Sequence, residues 1–322
     1  AYAFGEQDQP GGGPAALIET IRYNLGLSVD YWARVDFADF RQLIDDLGGV
    51  EMVVDCAIQD WRLLEPGLDP SVEENWAQFT LPVGVQMMDG DLALWYARSR
   101  RTSSDFDRGR RHQALLQALW RRIRELGLDS QLTAVWPQLL NLVDTDMPLD
   151  QVLELLPVGV NLTPSRIAHF TFRSGVEVTS WRSPEGSSVQ APNREAMEVT
   201  LRQFLTPPTA NQLRAHPVTV EVVNASGVRG MDAVAAWRLG WEGANAVIGT
   251  PAVAAQPYTQ LIDLAGQVKG NNSDLLRRAL NLGEAAVTVV PTPDRTADFR
   301  LIVGQNYYPC TYGVMPPSQA DP

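Results

Sequence analysis

The stretch from Ala93 to Gln113 reads ALWYARSRRTSSDFDRGRRHQ and places six arginines within fourteen residues of a chain whose net charge is −12. Ala93–Arg100 reads as a strand, the polar run after it as a turn, and residues 104–126 as a long helix. A strand feeding a helix through a short turn is the repeating unit of a layered α/β domain. On a strand, Arg98 and Arg100 share one face because side chains alternate. On the helix, Arg108, Arg111 and His112 share a face by their spacing of three and four. Ser103 or Ser104 suits the helix N-cap, and Asp105 and Asp107 suit its positive first turn. A strand end and a helix start thus converge with several guanidinium groups. Guanidinium is planar and bidentate and matches phosphate oxygens, so this is a candidate phosphate site. The competing reading is a solvated basic face paired with the chain's many acids. Leu115 and Leu119 continue the same helix face. They suit the apolar tail of a phosphate-headed amphiphile, or simply the core.

Working outward, residues 14–26 and 37–47 have helical spacing, and glycines end both. Residues 28–36 alternate like a strand, and Val50–Asp55 is a short apolar strand. Residues 56–80 form a loop-rich excursion, in which Trp61 and Trp76 are either sugar platforms or packing residues. Helices are expected over 131–143, 149–160 and 193–204, and a strand over Ile167–Phe172. The pattern predicts a layered α-β-α domain with a mixed central sheet over residues 1–205. Thr206-Pro207-Pro208-Thr209 opens a linker over 206–215. A smaller α/β domain follows over 216–307, with strands at 218–223, 246–249, 259–264, 286–290 and 299–303 and helices at 230–240 and 274–281. Asn224-Ala225-Ser226-Gly227 reads as a plain strand-to-helix turn, since it lacks the lysine of a P-loop. Residues 308–322 read as a loose tail.

A length of 322 residues suits two domains. The acidic balance argues against nucleic acid as a partner, which calls for a basic surface. No apolar run reaches the ~18 residues of a membrane span. Cys56 and Cys310 lack zinc-site spacing. In an exported chain they could pair and pin the tail to the first domain, or remain two thiols. His112, His169 and His216 are scattered, which argues against a histidine metal site.

Several motifs resemble the LytR–CpsA–Psr family. Gly84 through Arg100 resembles its signature G-x-x-x-L-D-G-x-x-A-L-x-Y-x-R-x-R. Asp105-Phe106-Asp107-Arg108-Gly109-Arg110-Arg111-His112 resembles D-F-x-R-x-x-R-Q, with His112 in place of the glutamine. Ala1-Tyr2-Ala3-Phe4-Gly5 resembles A-Y-A-Y-G, and Phe40 through Val50 resembles F-x-x-L-V-D-A-L-G-G-V. Val218 through Gly227 and Asp298 through Gly304 resemble the accessory domain often appended to these proteins.

The resemblance implies a phosphotransferase that moves a glycopolymer from a polyprenyl-diphosphate carrier to peptidoglycan, with Mg²⁺ assisting, at the outer face of the cytoplasmic membrane. By the same resemblance, Arg98, Arg100 and Arg108 bind diphosphate and Asp105 orients arginines. Arg111, His112, Leu115 and Leu119 are the expected substrate contacts. The family's metal-binding aspartates precede A-Y-A-Y-G. The resemblance therefore implies that they, and a membrane anchor, lie upstream of residue 1, and that the chain as given is inactive in transfer. Two alternatives share the arginines: a non-catalytic binder of lipid-linked glycans, and a polyprenyl-diphosphate pyrophosphatase. Arg238, in the smaller domain, is expected to be remote from the cluster.

Overall fold

The computed structural model describes residues 2–8, 10–163, 166–214, 216–252, 254–267 and 271–310. In chain order its first elements are α1 (Tyr2–Asp8), α2 (Gly12–Leu25), β1 (Ala33–Arg34), α3 (Phe37–Asp46), β2 (Val50–Val54), β3 (Ile58–Leu63), β4 (Trp76–Leu81) and β5 (Gly84–Met88). Next come α4 (Gly90–Arg98), α5 (Asp105–Glu125), α6 (Leu132–Leu139), β6 (Asp144–Thr145), α7 (Leu149–Asn161), β7 (Val178–Arg182), β8 (Ser188–Pro192) and α8 (Arg194–Leu205). The last are α9 (Ala210–Arg214), β9 (Thr219–Asn224), α10 (Met231–Trp241), β10 (Asn245–Ile248), β11 (Gln260–Asp263), α11 (Ser273–Ala279), β12 (Val287–Val289) and β13 (Phe299–Val303). No helix among the described residues is long and apolar enough to cross a membrane.

The chain folds into two compact units, each assembled from separate stretches. The first comprises Ala1–Asp46, Ile123–Asn161 and Phe172–Pro207. In it α1 and α2 approach so closely that a Cβ on Gly5 would run into Ala16 and lie 2.6 Å from the Gly12 carbonyl oxygen. Strands β1 and β6 pair over two residues, and β7 and β8 form an antiparallel ribbon. Glu177 is buried beside that ribbon, where it accepts from Arg173 at 2.8 Å and from the Thr200 hydroxyl at 3.0 Å.

The second unit comprises Leu47–Arg122, Leu162–Thr171 and Pro208–Pro322. Its centre is a five-stranded mixed sheet in the order β10-β9-β13-β11-β12. β9 is parallel to β10 and β13, and β11 is antiparallel to β13 and parallel to β12. The alternation of β9 (TVEVVN) buries Val220 and Val222, and that of β13 buries Phe299, Leu301 and Val303. Helix α10 covers this sheet with Met231, Val234, Ala235 and Leu239, a stripe at helical spacing. Val53 of β2 is part of the same core, with Val83 and Val85 packed against it. The ribbon of β2 and β5 and the β9–β13 sheet therefore share one hydrophobic interior. At an order of ~25 cal/mol per Å² of apolar surface, such burial is the main force joining them. The fold is accordingly α/β with a mixed sheet. Among the described residues, that sheet lies in 219–303, and the strands before it pair two by two.

Four expectations change. Ala93–Arg100 is not a strand: Gly90–Arg98 is helix α4. Asp89 caps it, its side chain accepting from the Leu92 amide at 2.8 Å, and Ala93 and Tyr96 are buried one turn apart. The cap fixes the helical start against a composition that also fits a strand. Second, the excursion at 56–80 contains the antiparallel ribbon of β3 and β4, with Ile58 opposite Leu81. Third, Ile167–Phe172 forms no strand. His169 is held there by side chains instead: its ring stacks on Trp241 at 3.5 Å and meets Gln113 and Gln117 at 3.1 and 3.3 Å. Fourth, of the strand expected over 28–36 only Ala33–Arg34 pairs. Of the tail expected over 308–322, residues 311–322 lie outside the described residues.

Candidate functional site

The arginine stretch runs from the end of α4, through a loop, into α5. The β3–β4 ribbon holds α4 in place: the Trp95 indole donates to the Trp61 carbonyl at 2.9 Å, and Phe79 meets Trp95 edge-on at 5.1 Å. Arg98 ends α4 and is exposed. The loop is anchored from the ribbon by Asp60, whose carboxylate accepts from the Arg100 and Arg101 amides at 2.9 and 3.3 Å. Burial pushes the Asp60 carboxyl up, but these amides and that of Trp61 more than offset it and hold it below its usual value. Ser104 and Asp107 cap the start of α5 reciprocally: the Ser104 amide donates to Asp107 at 2.7 Å, and the Asp107 amide to the Ser104 hydroxyl at 3.1 Å.

Asp105 lies between two of the candidate arginines. Its Oδ1 is 3.5 Å from Arg100 Nη1 and 3.3 Å from Arg108 Nη2. The Arg100 and Asp105 side chains are 60% and 65% exposed and that of Arg108 is 32% exposed, so the group faces water. Exposed pairs of this kind are worth ~0–1 kcal/mol. They align the guanidiniums without locking them, and an arriving anion can draw the arginines onto itself at little cost.

Arg111 does not share the outward face of Arg108. It is buried, its Nη2 donates to the Ser99 carbonyl and to Ser103 Oγ at 3.1 Å, and its guanidinium lies 5.4 Å from the centre of the Tyr96 ring. Burial lowers its pKa from the usual guanidinium value. Arg111 therefore ties the loop to α5 from inside and does not offer itself to a ligand in solution. His112 is exposed, and its Nε2 lies 2.9 Å from the Ala97 carbonyl, a geometry that requires the ring to donate there. Leu115 is buried core and Leu119 half-buried. Helical spacing put 108, 111 and 112 on one side. Their side chains diverge because α5 is wrapped by neighbours and only part of that arc meets water.

Sequence reasoning missed Arg110, Asp55 and Arg238. Arg110 Nη2 and Arg238 Nη1 donate to the same oxygen, Asp55 Oδ2, at 2.6 and 2.7 Å. Arg238 also donates through Nε to the Ala279 carbonyl at 2.5 Å. Asp55 and Arg238 are both buried, so Arg238 is not remote from the arginine stretch. The Arg110 guanidinium further lies over the rings of Trp237 and Trp241 at 5.1 and 5.5 Å. One signal for this was in the sequence: Arg238 interrupts the apolar stripe of α10 where an aliphatic residue belongs. Beside it, Cys56 and Cys310 form a disulfide. A water-sized cavity of about 20 Å³ lies among Asp55, Cys56, Tyr96, Ser103, Arg110 and Arg111.

Mg²⁺ needs hard oxygen ligands. Among the described residues, no group of three or more His, Cys, Asp or Glu is arranged to hold a metal ion. Asp60, Asp105 and Asp107 are each taken up by amide or guanidinium partners, as above. The described residues do not fit the ion.

Residues 1–204 match the model of the LytR_cpsA_psr family. Residues 217–307 match a second model, described as LytR cell envelope-related transcriptional attenuator. The chain is 31% identical over 135 residues to LcpB of Corynebacterium glutamicum, a probable cell wall biosynthesis protein, covering 42% of this chain and 29% of that protein. It is 30% identical over 141 residues to the regulatory protein MsrR of Staphylococcus aureus, covering 42% and 38%. The chain thus spans about a third of the length of these curated relatives. Among solved structures, B. subtilis TagV aligns with a TM-score of 0.48 at 22% identity, over 61% of this chain and 73% of that one.

Proposed function

Because the chain belongs to the LytR–CpsA–Psr family, we propose that it transfers a glycopolymer from a polyprenyl-diphosphate carrier to peptidoglycan in cell-envelope assembly, at the outer face of the cytoplasmic membrane. The observation that carries this reading is the exposed group in which Asp105 aligns Arg100 and Arg108 at the start of α5. A relative named for cell wall biosynthesis agrees with it. So does the Cys56–Cys310 disulfide, which belongs in an oxidising compartment.

In the proposed reaction an acceptor sugar hydroxyl attacks the glycan-bearing phosphorus, and polyprenyl phosphate leaves. Phosphoryl transfer depends mainly on positioning and on stabilising charge. Arg100 and Arg108, with the exposed Arg98, hold the diphosphate oxygens and stabilise the charge growing on the leaving phosphate. Asp105 orients the two arginines it bridges. Asp60 and Arg111 fix the loop that presents Arg100. Mg²⁺ enters this proposal through the family resemblance alone, and no step is routed through it.

The test has two stages. Binding of geranyl diphosphate is measured by calorimetry for the wild type, Arg100→Ala and Arg108→Ala. Release of polyprenyl phosphate is then followed with a peptidoglycan acceptor, with and without EDTA. Where the wild type turns over, each arginine variant is expected to lose about 10²–10³-fold, the usual effect of removing one donor to a developing oxyanion. Unchanged binding and turnover in both variants would place the site elsewhere. Binding without transfer in any condition fits both the inactivity that the family resemblance implies for this chain and a carrier of lipid-linked glycans.

A further inference from the structure

We infer that the segment matching the second family model, residues 217–307, is a working part of the arginine site, and that Arg238 is the positioning residue through which it acts. The inference rests on the functional reading above for its consequence, but not for its geometry.

Helix α10 reaches α5 by three contacts, all in the second unit. Arg238 and Arg110 share Asp55 Oδ2 at 2.7 and 2.6 Å. Trp237 and Trp241 offer their ring faces to the Arg110 guanidinium. His169, stacked on Trp241, bonds to Gln113 one turn further along α5. Arg110 therefore has no freedom to turn outward, although it stands two residues from Arg108. Arg111 is the next residue and holds the Ser99 carbonyl and the Ser103 hydroxyl. A path thus leads from α10, through Asp55 and the part-buried Arg110, along α5 to the adjacent Arg111, and from there to the loop that carries Arg100.

The chemistry at Asp55 makes the path specific. One carboxylate serves two arginines, so removing either guanidinium changes the field on the other. Arg238 cannot be replaced by lysine without loss. Its planar fork donates to Asp55 and to the Ala279 carbonyl together, a geometry that a single ammonium on a flexible stem does not reproduce. The disulfide lies immediately beside this point, since Cys56 follows Asp55 in the chain. Tyr307, buried next to Arg238 and Asp55, has its phenol pKa raised by burial, and its hydroxyl has no hydrogen-bond partner among the described residues.

The experiment compares wild type with Arg238→Met, Arg238→Lys, Trp241→Leu and the exposed Arg278→Ala as reference. Amide hydrogen exchange is read over residues 99–112, with calorimetric binding of geranyl diphosphate alongside. Arg238→Met is expected to speed exchange across 99–112 at least tenfold and to weaken binding by a similar factor. Arg238→Lys should lie between it and wild type, and Arg278→Ala should match wild type. Trp241→Leu keeps the ion group and should show the same pattern in weaker form, so it serves if Arg238→Met does not fold. Exchange that rises within 217–307 but stays at the wild-type rate over 99–112 overturns the inference. Faster exchange over 99–112 in a protein whose wild type binds no diphosphate keeps the coupling and overturns the functional reading instead.

Discussion

Removing the Cys56–Cys310 bond should lower the stability of the second unit by a few kcal/mol. The two cysteines are 254 residues apart. Treated as pure loop closure in the unfolded chain, a ring of that size corresponds to about 5.5 kcal/mol at 25 °C. The closed loop includes all of Ile123–Asn161 and Phe172–Pro207 from the first unit. If those stretches stay folded while the second unit opens, the effective loop shrinks. The dependence is logarithmic, so halving it removes only about 0.6 kcal/mol. Measured disulfides usually give less than this entropic value, about 2–4 kcal/mol, and that is the expected loss. Both cysteines are buried, so alanine is a better replacement than serine, whose hydroxyl would be left without a partner. The assay is urea unfolding followed by tryptophan fluorescence, which Trp237 and Trp241 report from within the unit. Wild type, Cys56→Ala/Cys310→Ala and wild type in reductant are compared. The two bond-free samples should share a midpoint below that of the oxidised protein. A midpoint indifferent to the bond would refute the argument, since it would mean that Gly304–Cys310 contributes nothing to holding the unit closed.

Other outcomes follow from single contacts. Asp55→Ala leaves Arg110 and Arg238 without their shared carboxylate and should cost about 3–5 kcal/mol, read in the same urea experiment. The Arg173 guanidinium, aided by the Arg173 amide and Thr200, holds the Glu177 carboxyl down at about 2 against an ordinary 4.5. A depressed carboxylate stabilises the fold fully above its ordinary value, so the first unit should lose stability as pH falls from 4.5 toward 2, and Glu177→Gln should flatten that slope in thermal melts. Asp89→Ala removes the cap of α4 and should cost about 1 kcal/mol, with faster amide exchange confined to the first turn of that helix.

Much of the fold was legible because it depends on local pattern. The helices α2, α3, α5, α8 and α10 and the strands of the mixed sheet carry a period of 3.6 or 2, with glycine stops after α2, α3, α5 and α10 and a proline after α8. Glycines at 48 and 49 both take positive φ, 72° and 88°, between α3 and β2, where their sequence marked a break. Legibility failed where two periods fit one segment. Ala93–Arg100 has residues suited to either state, and the Asp89 cap together with burial of Ala93 and Tyr96 selected the helix. It failed too at Ile167–Phe172, which forms no strand and is held instead through the His169 side chain against Trp241 and Gln113.

For the site, the sequence by itself determined the inventory: the arginines, Asp105 among them, and the loop between two elements that presents them. Residue identity and short spacing suffice for that, because Asp105, Arg100 and Arg108 meet within eight positions of one another. What only the tertiary structure decided is which arginines face water and which are structural. Arg100 and Arg108 remain outside, while Arg111 turns in to Ser99 and Arg110 is drawn to Asp55 and thereby to Arg238, 183 residues beyond Asp55 in the chain. A helix repeat assigns direction around its own axis, but burial depends on what packs against each side. That is set by the shared core of β2, β9, β13 and α10, which no local pattern around Arg110 encodes.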